Sequence, residues 1–283
     1  MPVRIHWTAR RATGEPGATP DPERWEAIGF PPPWPDRPWI FGVMVASANN
    51  VVAWRRRDEH DDPVRAILGG DQRPERIADR RLMRYLRTIG DVAIGAQTVR
   101  EQPRLVLTPQ EPGDEPAPEL FAFRTGRGLP DHPRNIVYSL YGRLPLDHPI
   151  FHTRGLDPIV LTMPAGRMVI QHQAGGQSLR LIVEPLLQRD GLRRAHQRLF
   201  TECGVRYLGC EGGQTVLRAL HDADLLDEVF LTVTDVVVDP AGHDGVLQGF
   251  DFEGEGADLI AEGKIDPASG YTFQRWRFHD ARR

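Results

Sequence analysis

A chain of 283 residues, 40% hydrophobic, is long enough to bury one large core or two modest ones, as soluble globular proteins do. Its 35 basic and 39 acidic residues leave a net charge of -4, with no dense block of either sign, which argues against nucleic-acid and membrane partners. Lys264 is the only lysine and stands in a Gly, Asp and Pro-rich stretch, which disfavours Schiff-base chemistry and a phosphate-loop lysine. The two cysteines, Cys203 and Cys210, form no CxxC pair and no His/Cys cluster, so neither a zinc site nor a disulfide framework is expected. Cys203 suits the buried end of a helix and Cys210 the end of a strand. No run of 18 apolar residues and no charged start with an apolar core occurs, so a cytoplasmic location is expected.

Residues 1–37 are rich in Pro, Gly and charge, and PPPWPDRP at 31–38 is stiff and extended. They read as a lead-in to a main domain over 38–283, with Trp25, Phe30 and Trp34 as docking anchors. Residues 39–47, WIFGVMVAS, form a continuous apolar run of strand length, suited to the middle of a covered sheet. The run ends in Ser47-Ala48-Asn49-Asn50, where open α/β sheets place ligands; substrate contact and an ordinary turn both fit these residues. Residues 55–76 alternate arginine with acids and read as a solvated excursion or flap. From Pro74 a helix is expected, with Ile77, Leu82, Tyr85, Leu86 and Ile89 on its apolar face and Gly90 as its C-cap.

A short strand over 92–94 follows, and then Gly95-Ala96-Gln97-Thr98-Val99-Arg100. Glycine at a strand end permits a tight turn, Thr98 offers a hydroxyl and a backbone N–H to a phosphate, and Arg100 offers a charge-assisted contact. The same residues also fit a plain turn with Thr98 as N-cap and Arg100 on a solvated face. Residues 105–107 are expected to continue the sheet, and 109–134 to form an insertion without periodicity. Residues 135–140, 158–162 and 179–184 read as strands, with 168–171 a weaker one. A helix capped by Asp190 carries Leu192, Ala195, Leu199 and Cys203 on one face and ends at Gly204.

In residues 205–220, VRYLGCEGGQTVLRAL, a strand with Tyr207, Leu208 and Cys210 ends in Glu211-Gly212-Gly213. A helix follows with Val216, Leu217 and Leu220 on one face. Two glycines let the backbone approach a ligand, and the helix start offers N–H groups and a positive dipole end, which suits a pyrophosphate; a simple turn is the alternative. Helix, strand, Gly-Gly turn and helix is the order of an α/β nucleotide site, not of a β-sandwich. Residues 226–238 and 271–278 read as strands, the second as an exposed antiparallel edge.

The strand ending in Ser47, the segment DVAIGAQTVR, the EGG turn and LLDEVFLTVTDVVVDP together resemble the reductase domain of bacterial bifunctional riboflavin-biosynthesis enzymes over residues 38–278. The resemblance implies a dihydrofolate reductase-like α/β three-layer fold with a central mixed, mostly parallel sheet and an antiparallel C-terminal edge. It implies NADPH as cofactor, hydride transfer to a ribosylamino-pyrimidine whose ribose opens to a ribitol chain, and a homodimer. Gly95, Ala96, Thr98, Gly212 and Gly213 would hold the cofactor's phosphates and ribose, with Arg100 and Gln214 in the same set. Ser47, Asn49, Asn50 and Glu211 would lie at the substrate end; a glutamate bonding a helix N-terminus is the other reading of Glu211. No general acid is assigned.

Departures from the pattern bear on the substrate. The family's Ser-Leu-Asp-Gly is Ser47-Ala48-Asn49-Asn50 here, its lysine four residues earlier is Val43, and its Asp-Asp-Pro is Glu101-Gln102-Pro103. A pocket altered in this way can keep the cofactor and take another substrate. The His-x-Glu and Pro-Cys-x-x-Cys signature of the partner deaminase domain does not occur, so a stand-alone reductase is expected. Two alternatives remain. One is a dihydrofolate or pterin reductase, weakened by the amide at Asn49; the other is a catalytically idle nucleotide-binding or assembly protein.

Overall fold

The computed structural model describes residues 4–9, 29–58, 61–70, 73–111, 114–175 and 178–279; the expected anchor Trp25 lies outside them. The first elements are β1 (His6–Ala9), β2 (Trp39–Ala46), β3 (Val51–Ala53), α1 (Pro63–Ile67), α2 (Pro74–Leu86), β4 (Asp91–Gly95) and α3 (Ala96–Glu101). Next come α4 (Pro118–Gly126), β5 (Asn135–Tyr138), β6 (Ile159–Thr162), α5 (Pro164–Gln173), β7 (Arg180–Val183) and α6 (Arg189–Cys203). The chain closes with β8 (Tyr207–Cys210), α7 (Gln214–Asp222), β9 (Glu228–Val233), β10 (Leu247–Gln248), β11 (Ala257–Lys264) and β12 (Thr272–Phe278).

The chain divides into two compact units. One contains 33–40 and 84–226, and in it, among the described residues, five strands run parallel in the order β8-β4-β5-β6-β7. β4 and β6 are buried at every residue, as strands covered on both faces require. Val92, Ile94, Val137, Val160 and Ile170 form the centre of one core cluster.

The other unit contains the described residues of 1–32, 41–83 and 227–283. There β2 runs parallel to β9, while β12, β11 and β1 follow antiparallel. The strands are thus mixed in direction, mostly parallel with an antiparallel edge, in the expected dihydrofolate reductase-like α/β architecture. Phe30 is an anchor in this unit, its ring 4.8 Å from Phe41 and 5.9 Å from Phe230. In the first unit Trp34 stacks on Trp39 at 6.0 Å.

Several local expectations are corrected. Residues 168–171 belong to α5, because Pro164 at its first turn starts a helix that the apolar Met-Val-Ile run then continues. Residues 105–107 form no strand: the Asn135 amide accepts from Leu107 N at 3.1 Å and donates to Leu107 O at 3.0 Å, standing in for a strand partner. The 109–134 insertion contains α4, begun by Pro118. The 55–76 excursion contains α1, capped by Asp62, and buries Ile67 against Val51, Trp54 and Val238.

On α2 the exposed Ile77 is replaced in the buried set by Ala78. Gly90 is not a left-handed cap; a Cβ there would lie 2.2 Å from the Tyr207 carbonyl oxygen, so its role is close packing. α6 starts at Arg189 with Gln188 as N-cap, putting Asp190 inside the helix, while Gly204 is the expected left-handed cap at φ 69. Cys203 at the α6 end is half-buried. β9 stops at Val233, short of the expected 238, and β12 lies between β9 and β11, so it is not an edge. Lys264 ends β11 and donates to Ser269 O at 2.9 Å.

Candidate functional site

β4 and β8 are parallel neighbours, paired at Val92 with Gly209 and Ala93 with Cys210. From β4 the chain steps outward through β5, β6 and β7, then returns by α6 to place β8 on the other side of β4. The strand order therefore reverses between β4 and β8, and the carboxyl ends of such a pair are where open α/β sheets hold ligands. Both strands end in glycine turns that lead straight into helices: Gly95 into α3, Gly213 into α7.

The two turns touch. A Cβ on Gly212 would lie 2.5 Å from Gly95 N and 2.8 Å from Ile94 Cα, and one on Gly95 would lie 3.1 Å from Val216 Cγ2. Glu211 N donates to Ala93 O at 2.9 Å. Gly212 is thus required by loop-to-loop packing, while a Cβ on the exposed Gly213 would meet nothing within 4 Å. The open approach lies at Gly213, beside the first turn of α7, which has no side-chain N-cap and begins with the half-buried Gln214.

On the β4 side, Ala96 and Thr98 are half-buried in α3, whose N-cap is Gly95, so Thr98 is the third helical residue and not the cap. Arg100 is exposed; its guanidinium donates to Arg143 O at 2.9 Å and to the Gln97 side chain. Gly95, Ala96, Thr98, Gly212, Gly213 and Gln214 are brought together by the adjacent turns, and Arg100 stands on the last turn of α3.

Glu211 does not bond a helix N-terminus. Both of its oxygens accept from Arg87, Nε to Oε1 and Nη2 to Oε2, each at 2.7 Å. Arg87 follows the end of α2 and turns inward, donating also to Thr108 O at 3.0 Å and to the Glu111 carboxylate. Burial works against the Arg87 charge, and the Glu211 and Glu111 carboxylates outweigh it, so its pKa is raised. Sequence periodicity gave no sign of this pair.

Two further groups lie nearby in the same unit. Tyr138, paired with Gly95 across β5 and β4, has its hydroxyl 2.7 Å from His196 Nε2 on α6. Cys210 is fully buried, and burial pushes its thiol up to about 12, so it stays protonated and unreactive at neutral pH.

Ser47, Asn49 and Asn50 belong to the other unit, in the turn between β2 and β3. Ser47 Oγ donates to Asn49 Oδ1 at 2.8 Å and accepts from Val51 N at 2.9 Å. Asn49 pairs with Val238 as a strand would, donating to its carbonyl at 2.8 Å and accepting from its N–H at 3.0 Å. Asn50 is left-handed at φ 60, a conformation asparagine tolerates, and accepts from Gly249 N through its carbonyl. Ser47 and Asn49 therefore perform the turn chemistry that was one of their two readings.

No protein-family model and no curated protein matches the chain. Solved structures do. A pyrimidine reductase-like protein from Corynebacterium diphtheriae matches with a TM-score of 0.61 at 19% identity, over 86% of this chain and 92% of that one. The RibD protein of Acinetobacter baumannii matches with a TM-score of 0.59 at 16% identity, over 86% of this chain and 58% of that longer one. The riboflavin biosynthesis reductase of Saccharomyces cerevisiae matches with a TM-score of 0.51 at 14% identity, over 86% and 90%. The chain has a RibD reductase-like fold, as its motifs led one to expect.

Proposed function

We propose that the chain is an NADPH-dependent reductase acting on a ribosylamino-pyrimidine-like substrate. The observation that carries this reading is the contact between the Gly95 and Gly212 turns at the strand-order reversal, each followed by a helix start. A dinucleotide phosphate needs backbone N–H donors and a close, uncrowded approach, and Gly213 with the uncapped first turn of α7 fits both needs. The bound nicotinamide would supply the hydride. Thr98 would add a hydroxyl contact to the phosphates and Arg100 a cation at the rim, while the contacting turns would exclude water behind them.

The fold neighbours carry names of riboflavin-pathway and pyrimidine reductases, which supports this substrate class. Substrate roles for Ser47, Asn49, Asn50 and Glu211 rest on the motif resemblance. One observation favours a second reading, an idle nucleotide-binding protein: Ser47 and Asn49 spend their side chains within their own unit. Titration with NADPH and with NADH, followed by nicotinamide fluorescence, tests the cofactor, and turnover of ribosylamino-pyrimidines separates the two readings. NADPH binding without any pyrimidine or pterin turnover selects the idle protein, and failure of both nucleotides at millimolar concentration removes the nucleotide site.

A further inference from the structure

Glu211 precedes two consecutive glycines, the residues with the least backbone stiffness, yet the turn they form must keep a fixed direction for the start of α7. What fixes it is on the Glu211 side: the Glu211 N–H bonded to Ala93 O at 2.9 Å and the carboxylate gripped by Arg87. We propose that Arg87 is a positioning residue for the nucleotide loop, holding Glu211-Gly212-Gly213 in register through a two-point grip on the Glu211 carboxylate. This rests on the nucleotide-site reading above.

The grip is strong for three reasons. A guanidinium meets a carboxylate through two parallel bonds, which sets the plane of the glutamate as well as its distance; a lysine in the same place would act as a single point. Both partners are withdrawn from water, with 2% of the Arg87 side chain and 9% of the Glu211 side chain exposed, so solvent does not compete for the bonds. Arg87 is itself anchored. Its carbonyl accepts from Arg124, and its Nη1 donates to Thr108 O and Glu111. The segment around 108–111 is thereby tied to the Gly-Gly turn through one side chain, so a disturbance in either reaches the other.

The test uses Arg87→Lys and Glu211→Gln, with Arg87→Met and the Arg87→Met/Glu211→Gln pair as further variants should one fold poorly. Hydrogen exchange of the backbone amides at 211–216 is read in the nucleotide-free chain, with β5 and β6 as internal controls. Arg87→Lys is expected to speed exchange at 211–216 by at least ~10-fold while leaving the controls unchanged, because the turn opens locally. NADPH dissociation constants are expected to rise by about 10-fold in each single variant, with the double no worse than the weaker single, since one interaction is lost in all three.

A lowered melting point with unchanged exchange at 211–216 would make Arg87 a stabilising residue only and overturn the proposal. Faster exchange with an unchanged NADPH constant would overturn it equally. If the unaltered chain binds neither nucleotide and Arg87→Lys still loosens 211–216, the nucleotide reading falls while the grip on the loop stands.

Discussion

Tyr138 donates its phenolic hydrogen to His196 Nε2 across 2.7 Å, and the donor assignment follows from the other side of the ring. His196 Nδ1 lies 2.7 Å from Leu192 O, an oxygen that only accepts, so Nδ1 carries the hydrogen and Nε2 is the acceptor. His196 is fully buried, and burial pushes its pKa down from 6.5 to about 4. Between those values the unfolded chain binds a proton that the folded chain refuses, so stability falls as pH drops through this window. The loss between pH 7 and pH 5 is about 2 kcal/mol. Urea unfolding at the two pH values should give that slope, and His196→Phe should flatten it while lowering stability at pH 7 through the two lost bonds. An equal slope in the variant would assign the effect to other groups.

The two glycines of the second turn are expected to behave differently. In Gly212→Ala the new Cβ would press on Gly95 N at 2.5 Å and Ile94 Cα at 2.8 Å, so the turns must separate, at a stability cost of about 1–3 kcal/mol. In Gly213→Ala nothing lies within 4 Å and φ is not positive, so thermal unfolding should be unchanged within about 0.5 kcal/mol. Any loss of NADPH affinity in Gly213→Ala would then come from the ligand side, and about 10-fold is expected if the pyrophosphate passes there. Unchanged affinity in Gly213→Leu would remove this turn from the cofactor site.

Arg100 is held at the surface by Arg143 O at 2.9 Å, which leaves its charge at the rim of α3. As a reader of the 2′-phosphate it should matter for NADPH and not for NADH. Arg100→Ala is expected to weaken NADPH by about 10-fold, the size of one charge-assisted contact, with NADH changed less than about 2-fold. Equal losses in the paired titrations would make Arg100 an ordinary solvated residue of α3.

These contrasts track what a sequence can carry. Gly95 and the Gly212-Gly213 pair were legible because a glycine that ends an apolar run marks a tight turn or a close approach, and a helical period restarts immediately after each. Which glycine packs against the neighbouring turn and which lies open was not legible, since it depends on β4 and β8 becoming neighbours. The Arg87 and Glu211 pair was hidden for the same reason: its members are 124 residues apart in the chain, and no local pattern joins them. The resemblance supplied the mixed, mostly parallel sheet that periodicity lacked, and with it the fold. It did not supply β1 or β11, since β1 is only four residues long and β11 contains Ala, Glu and Gly, which are depleted in strands. Likewise Met168 to Gln171 looked like a strand until Pro164 was counted as a helix start. At Ser47 and Asn49 the two readings, turn and substrate, use the same atoms, and the bonds to Val51 and Val238 bring out the turn.

Arg124 is buried beside the end of α2. Only 1% of this residue is exposed, and its guanidinium donates to Gly90 O at 2.7 Å, Pro130 O at 2.5 Å, His132 O at 3.2 Å and Arg87 O at 3.3 Å. Arg87 and Gly90 lie just past the end of α2, so α4 closes the terminus of α2 with a side chain where a left-handed glycine was expected. Burial pushes its pKa down to about 10, which still leaves it charged at neutral pH. Arg124→Met strips four carbonyls of their donor and should cost about 3 kcal/mol in urea unfolding at pH 7. Arg124→Lys should recover less than half of that, because a compact ammonium cannot span acceptors set around a planar fork. A loss below about 1 kcal/mol in Arg124→Met would mean that water replaces the arginine at these carbonyls, and the closure of α2 would then rest on Thr88 Oγ1, which donates to Tyr85 O at 2.6 Å.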